Sequence, residues 1–223
     1  MPVKTPRQPR TDPEKMDRML ARLASGYDID RFKRENGEGP FRILIGCLIS
    51  LRTKDEVTYP ATDRLFRRAR TPAEMVGLRQ PTIAKLIYPA GFYRVKAGQI
   101  KEISRMLIDR WGGEVPSTIE ELVELPGVGR KTANLTVTLG FGLPGICVDI
   151  HVHRICHRFG WVRTKNPDQT EMVLRRKLPD AWWIPINETL VRHGQQVCKP
   201  TSPVCSVCPV EPDCPQKGVI RRR

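Results

Sequence analysis

Four cysteines crowd into one short, proline-rich stretch near the end of the chain, and no other feature narrows the possible folds as much. Cys198, Cys205, Cys208 and Cys214 are spaced C-x6-C-x2-C-x5-C, with Pro200, Pro203, Pro209, Pro212 and Pro215 among them. Prolines fix φ and stiffen the segment, which suits a preformed ligand cage. Four thiolates can hold Zn²⁺ or an iron–sulfur cubane. Zinc sites built on four cysteines more often use two well-separated C-x-x-C pairs, and here only Cys205 and Cys208 form one. Two disulfides are the third option. The N-terminal residues MPVKTPRQPR have no apolar core and no small-residue cleavage site, so export is not expected. In a reducing compartment, crowded cysteines favour a metal site over disulfides. Cys47, Cys147 and Cys156 stand apart in apolar surroundings and read as small core residues.

The rest of the chain reads as helices. Thr11, Asp12 and Pro13 form a helix start, followed by the apolar stripe Met16, Met19, Leu20, Leu23. Phe41 to Leu51 is almost wholly apolar and is expected to be a central buried helix. A helix should follow Asp55, kinked near Pro60. Tyr93 to Trp111 carries Ala97, Ile100, Ile103, Met106 and Leu107 at helical spacing and should end at Gly112-Gly113. Further helices are expected over 118–124, 130–139, from Asp149 toward Phe159, and over roughly 168–178 and 185–197. No segment alternates with period two over any length, so the fold class is all-α. No apolar run is long enough to span a bilayer.

Charge narrows the partner. The 223 residues carry a formal net charge of +14, half of it in basic tails at residues 1–10 and 217–223 that contain no acid. The remaining excess lies in the body of the chain. An excess of this size favours a polyanion, and nucleic acid fits better than a membrane surface.

The segment LPGVGRKTAN, residues 125–134, places Gly127, Val128 and Gly129 in a tight turn between two helices. Such a turn is an ordinary helix–turn–helix corner, or a backbone clamp for phosphate at the start of the second helix. Lys131 falls in the first turn of that helix, where the dipole disfavours a positive charge and partial burial would lower its pKa. A lysine attacks carbon only when neutral, so this setting suits a nucleophile; a solvated or phosphate-contacting lysine is the alternative. Asp149, in GICVDIHVHR, opens a helix and is a natural N-cap. His151 and His153 lack the i, i+4 spacing of a helical metal pair, which leaves structural or DNA-contact roles.

Taken together, LPGVGRKTAN, then VDIHVHR at 148–154, then the cysteine spacing, resemble the endonuclease III family of helix-hairpin-helix DNA glycosylases, from about residue 15 to 217. The resemblance implies two helical lobes with DNA in the cleft between them. One is a six-helix barrel over 36–146, with the hairpin at about 118–139. The other is a cluster lobe made of 11–35 and 147–216, leaving a disordered basic tail at 1–10 and a basic tail at 217–223. It implies a [4Fe–4S] cluster on Cys198, Cys205, Cys208 and Cys214, with Lys199 on a basic loop edge that meets phosphate. Lys131 would be the Schiff-base nucleophile. Asp149 would help deprotonate it or stabilise positive charge on the deoxyribose. Ile150 departs from the threonine usual in the family. Arg52 and Phe92 stand where the family places a polar side chain and an apolar wedge to fill the gap left by a flipped base; otherwise they are a solvated arginine and a core phenylalanine.

The implied activity is a bifunctional DNA N-glycosylase and AP lyase of base excision repair, removing oxidised pyrimidines and cutting abasic sites in double-stranded DNA. It would act as a monomer, off the membrane, in the cytoplasm at the nucleoid if the source is prokaryotic. Three other readings stay open: a monofunctional adenine or mismatch glycosylase, a non-catalytic iron–sulfur DNA-binding protein, and a zinc-stapled scaffold.

Overall fold

The computed structural model describes residues 7–27 and 39–223. The chain divides into two compact units, Arg31–Gly145 and Met1–Asp30 with Ile146–Arg223. Every regular element among the described residues is helical.

Within the described part of the first unit, the elements are α2 (Pro40–Ser50), α3 (Asp55–Arg68), α4 (Pro72–Gly77), α5 (Gln80–Ile87), α6 (Tyr93–Trp111), α7 (Ile119–Leu122) and α8 (Arg130–Leu135), which runs on into a π-helical turn, Thr136–Gly140. Helix α2 is the axis of the core. Phe41 and Ile43 through Ile49 are all buried, because α3, α6, α8 and the π turn pack around it. Each large aliphatic side chain withdrawn from water this way contributes about 1.5–3 kcal/mol before chain entropy is counted. Pro60 is accommodated inside α3, and the Thr58 and Thr62 hydroxyls donate to the carbonyls of Lys54 and Thr58 one turn back. Helix α6 ends where Gly112 takes a left-handed φ of 61°.

The helices α4 and α5 were not expected, and both pack along α6. A sequence signal for α4 exists: Thr71-Pro72-Ala73-Glu74 forms a capping box, the Thr71 hydroxyl accepting from the Glu74 N–H and the Glu74 carboxylate from the Thr71 N–H.

The second unit contains α1 (Pro13–Ala24), α9 (Ile150–Arg158), α10 (Pro167–Leu174) and α11 (Pro185–Gln196). Asp12 caps α1 through the Glu14 N–H, and the stripe Met16, Met19, Leu20, Leu23 is buried in a core shared with Ile155, Phe159, Trp161, Ile186 and Leu190. Asp213 accepts ion pairs from Lys15, Arg18 and Arg22 at 4.0, 3.7 and 3.0 Å, tying α1 to the cysteine-bearing segment.

Residues 1–6 lie outside the described residues, but the Gln8 side chain brackets Arg163, donating to its carbonyl and accepting from its N–H at 2.9 Å each. At the other end, Arg223 N donates to the Pro203 carbonyl and Ser206 N to the Arg223 carbonyl. Backbone pairing, which a charge count does not see, holds the C-terminal run against the cysteine segment.

Candidate functional site

The hairpin forms as the glycine pattern implies. Gly127 adopts φ 79°, a conformation that strains any residue with a Cβ, so the turn calls for glycine there. Val128 is buried and anchors the turn in the core. Gly129 is the N-cap of α8, with no side chain capping the helix and open space where a Cβ would point. Lys131 lies in the first turn of α8 and is exposed, so burial adds nothing to the dipole there. Its charge still reaches the core. Burial pushes the thiol of Cys47, on α2, up to about 12, and the Lys131 ammonium pulls it the other way. Behind Lys131 the helix is held by side chains bonding back one turn: Asn134 Nδ2 to the Arg130 carbonyl and Thr136 Oγ1 to the Thr132 carbonyl.

Two turns of the same unit bring Arg52 and Phe92 together. Both residues are exposed, and both adopt left-handed backbone, φ 53° and 56°. For a residue with a side chain that conformation costs about 1–2 kcal/mol. The Arg52 guanidinium lies over the Phe92 ring, 5.5 Å from its centroid. Phe92 is 61% exposed, which rules out the core reading.

Asp149 caps α9, its Oδ1 accepting from the N–H groups of His151 and Val152 at 2.8 and 2.9 Å. Ile150 beside it is 68% exposed. The two histidines make side-chain contacts within the unit. His151 Nδ1 meets Arg154 Nη2 at 3.0 Å, and His153 Nδ1 meets the Thr170 hydroxyl at 2.7 Å. Lys131 and Asp149 belong to different units of the chain.

Cys198, Cys205, Cys208 and Cys214 line one small cavity, with Arg158, Phe159 and His193 in its wall. Cys47, Cys147 and Cys156 are buried elsewhere, as expected. Arg158 is itself buried and holds the chain around Cys198. Its Nη1 donates to the Cys198 sulfur at 3.2 Å and the Lys199 carbonyl at 2.7 Å, its Nη2 to the Pro200 carbonyl at 2.5 Å. Lys199 points its side chain into solvent. Burial, then the charges of Cys198, Cys214 and Cys205, push the Cys208 thiol up to about 11. Among the described residues, no three His, Cys, Asp or Glu side chains converge on a position for a single metal ion.

Residues 45–180 match the model of the HhH-GPD superfamily base excision DNA repair proteins. The chain is 45% identical over 201 residues to the endonuclease III of Thermotoga maritima, covering 87% of this chain and 94% of that protein. It belongs to the endonuclease III family. It is 41% identical over 187 residues to the chloroplastic endonuclease III homolog 2 of Arabidopsis thaliana, spanning 48% of that longer protein. Its fold superposes on a trapped endonuclease III–DNA covalent intermediate, an estranged-adenine complex, with a TM-score of 0.81 at 32% identity, covering 93% of this chain and 97% of that one.

As a member of this family the protein is a DNA glycosylase and AP lyase of base excision repair. No helix among its described residues is long and apolar enough to cross a membrane. Sequence reasoning missed the residues packed behind the candidate site residues: Lys96, Thr53 and Gly91 behind the Arg52 and Phe92 turns, and Arg158 behind Cys198. A signal for Lys96 was present. It sits on the buried stripe of α6 at i, i+4, i+7, i+11 with Ile100, Ile103 and Leu107, where a charge demands partners.

Proposed function

We propose that the enzyme is bifunctional, with Lys131 the nucleophile, and that its duplex substrates carry oxidised pyrimidines of the thymine glycol type or abasic sites. The observation that carries this reading is Lys131 itself, in the first turn of α8 directly after the Gly127-Val128-Gly129 turn of an endonuclease III. The turn and the uncapped start of α8 hold a phosphate next to the lysine through backbone N–H groups. The target nucleotide leaves the stack at a cost of roughly a few kcal/mol, least where the lesion has already weakened stacking. Arg52 and Phe92 fill the gap, the guanidinium bonding the orphaned base and the ring stacking beside it.

The neutral Lys131 amine attacks C1′. The C1′–N bond to the base breaks, the base leaves with the electron pair and takes up a proton, and the sugar ring opens to an iminium on Lys131. The iminium acidifies C2′; loss of that proton expels the 3′ phosphate and cuts the strand. Water then hydrolyses the iminium and returns the lysine. The Asp149 carboxylate stabilises positive charge on the deoxyribose as the base departs and helps take the proton from Lys131.

Cys198, Cys205, Cys208 and Cys214 would hold a [4Fe–4S] cluster. Four cysteines around one cavity, at the C-x6-C-x2-C-x5-C spacing in a chain of the endonuclease III family, support that reading. When bound, it supplies no step of the excision; it ties down the C-terminal segment and keeps Lys199 on an edge available to phosphate. The enzyme acts as a monomer where the chromosome lies, which in a prokaryote is the cytoplasm.

The decisive experiment is borohydride trapping on duplex DNA with one thymine glycol, beside Lys131→Gln. A covalent protein–DNA band in the wild type and none in the variant is the expected result. No wild-type band on either thymine glycol or an abasic site sinks the lyase assignment to Lys131.

A further inference from the structure

Behind the exposed Arg52 and Phe92 lies a buried hydrogen-bond junction that involves neither side chain. Lys96, one turn into α6, is only 4% exposed, and its Nζ donates to the Ile49 carbonyl at 2.6 Å, the Leu51 carbonyl at 2.5 Å and the Thr53 hydroxyl at 3.1 Å. An ammonium has three N–H donors, and all three are engaged. The two carbonyls stand at the C-terminal end of α2, where the last acceptors have no partner within the helix and the dipole is negative. Lys96 therefore closes α2 from outside, with the charge sign the helix end calls for.

Thr53 is equally saturated. Its hydroxyl donates to the Leu51 carbonyl at 3.2 Å and accepts from Lys96 Nζ and from the Gly91 N–H at 3.0 Å. One hydroxyl thus joins the turn holding Arg52 to the turn holding Phe92. The turns also touch through their main chains, since a Cβ on Gly91 would stand 2.5 Å from the Arg52 carbonyl oxygen. Phe92 belongs to the same rigid piece as Lys96, because the Phe92 carbonyl accepts the first-turn hydrogen bond of α6 from the Lys96 N–H. Arg52 and Phe92 both hold left-handed backbone, which persists only where the surroundings over-determine it.

We propose that Lys96 is a positioning residue that, through Thr53, locks the Arg52 and Phe92 turns into one rigid wedge, so that both side chains enter the duplex as a unit. The proposal rests on the reading of Arg52 and Phe92 as the gap-filling pair. Its consequence is selectivity for damaged duplex. A preset wedge loses little conformational freedom on insertion, whereas two independent turns must be ordered at that moment.

The test uses the holoenzyme and two duplexes. One carries a stable tetrahydrofuran abasic analogue with 2-aminopurine opposite it, and the other is undamaged. Lys96→Met removes the donors, and Thr53→Val removes the bridge while leaving Lys96 in place, so the second variant decides if the first does not fold. Both are expected to lose about tenfold or more in affinity for the abasic duplex, together with the 2-aminopurine fluorescence change. Affinity for undamaged duplex should stay within about twofold, which a general folding defect would not allow. Adding Thr53→Val to an Arg52→Ala/Phe92→Ala double variant should cost nothing further. If the double variant binds the abasic duplex like wild type, the wedge reading falls and this proposal with it. If the double variant is impaired while Thr53→Val and Lys96→Met are not, or if the latter lose both duplexes equally, the positioning role of Lys96 alone is overturned.

Discussion

Gly91 lies against the main chain of Arg52, so close that a Cβ on Gly91 would sit 2.5 Å from the Arg52 carbonyl oxygen and 3.4 Å from its carbonyl carbon. Backbone, not a flexible side chain, is what such a Cβ would meet. Gly91→Ala must push the two turns apart, at a cost of about 1–3 kcal/mol. Urea unfolding should register that loss. Affinity for an abasic duplex should fall by more than the stability change explains, because the separation between Arg52 and Phe92 is what changes.

Asp149 offers a way to part capping from chemistry. Its Oδ1 accepts two backbone N–H bonds at the start of α9, a task asparagine performs as well as aspartate. Asp149→Ala should cost about 0.5–2 kcal/mol in stability, and Asp149→Asn close to nothing. If the carboxylate also stabilises charge on the sugar, Asp149→Asn should still slow single-turnover excision by roughly 10²- to 10³-fold. A variant that is both stable and as fast as wild type would leave Asp149 a cap and no more.

Burial pushes the Lys96 ammonium down from the ordinary 10.5 to about 8. Between those values the unfolded chain carries more protons on this side chain than the folded one, so unfolding free energy rises with pH across that window. The gain from this group is complete above 10.5 and is lost as pH falls through about 8. The stability of wild type relative to Lys96→Met should therefore increase on going from pH 7.5 to 10, followed by chemical denaturation. A constant difference across the range would place Lys96 in a wetter site than its 4% exposure indicates.

Metal analysis of the purified protein tests the cysteine cavity directly. About four irons and four sulfides per chain are expected for a [4Fe–4S] group, and one zinc would overturn it. Cys208→Ser should lower iron content and make the segment from Cys198 to Cys214 sensitive to protease, since its carbonyls and thiols are held by few helical bonds.

Much of the fold was legible along the chain because its signals are local. The stripe Met16, Met19, Leu20, Leu23 and the Asp12 cap lie within a few residues of each other, and α6 begins at Tyr93 and ends at Trp111 as the periodicity and Gly112-Gly113 imply. The short α4 and α5 escaped, although the capping box at Thr71 announces α4, because six to eight residues carry too little periodicity to outweigh their prolines. The exposure of Lys131 could not be read from the sequence, because burial depends on which neighbours cover a side chain. The C-terminal arginines read as a tail because charge runs usually are; the backbone bonds of Arg223 to Pro203 and Ser206 are invisible to composition.

By itself, the sequence determined the helical class, the Gly-Val-Gly hairpin with its lysine, and the cysteine set, since each rests on spacing within a short stretch and on what those residue types can do chemically. Only the tertiary structure decided that Lys96 caps a helix ending some forty-five positions earlier, that Thr53 joins two turns, and that Arg52 faces Phe92. Those relationships follow from how α2 and α6 pack, and a buried ammonium is tolerable only where packing brings it three acceptors.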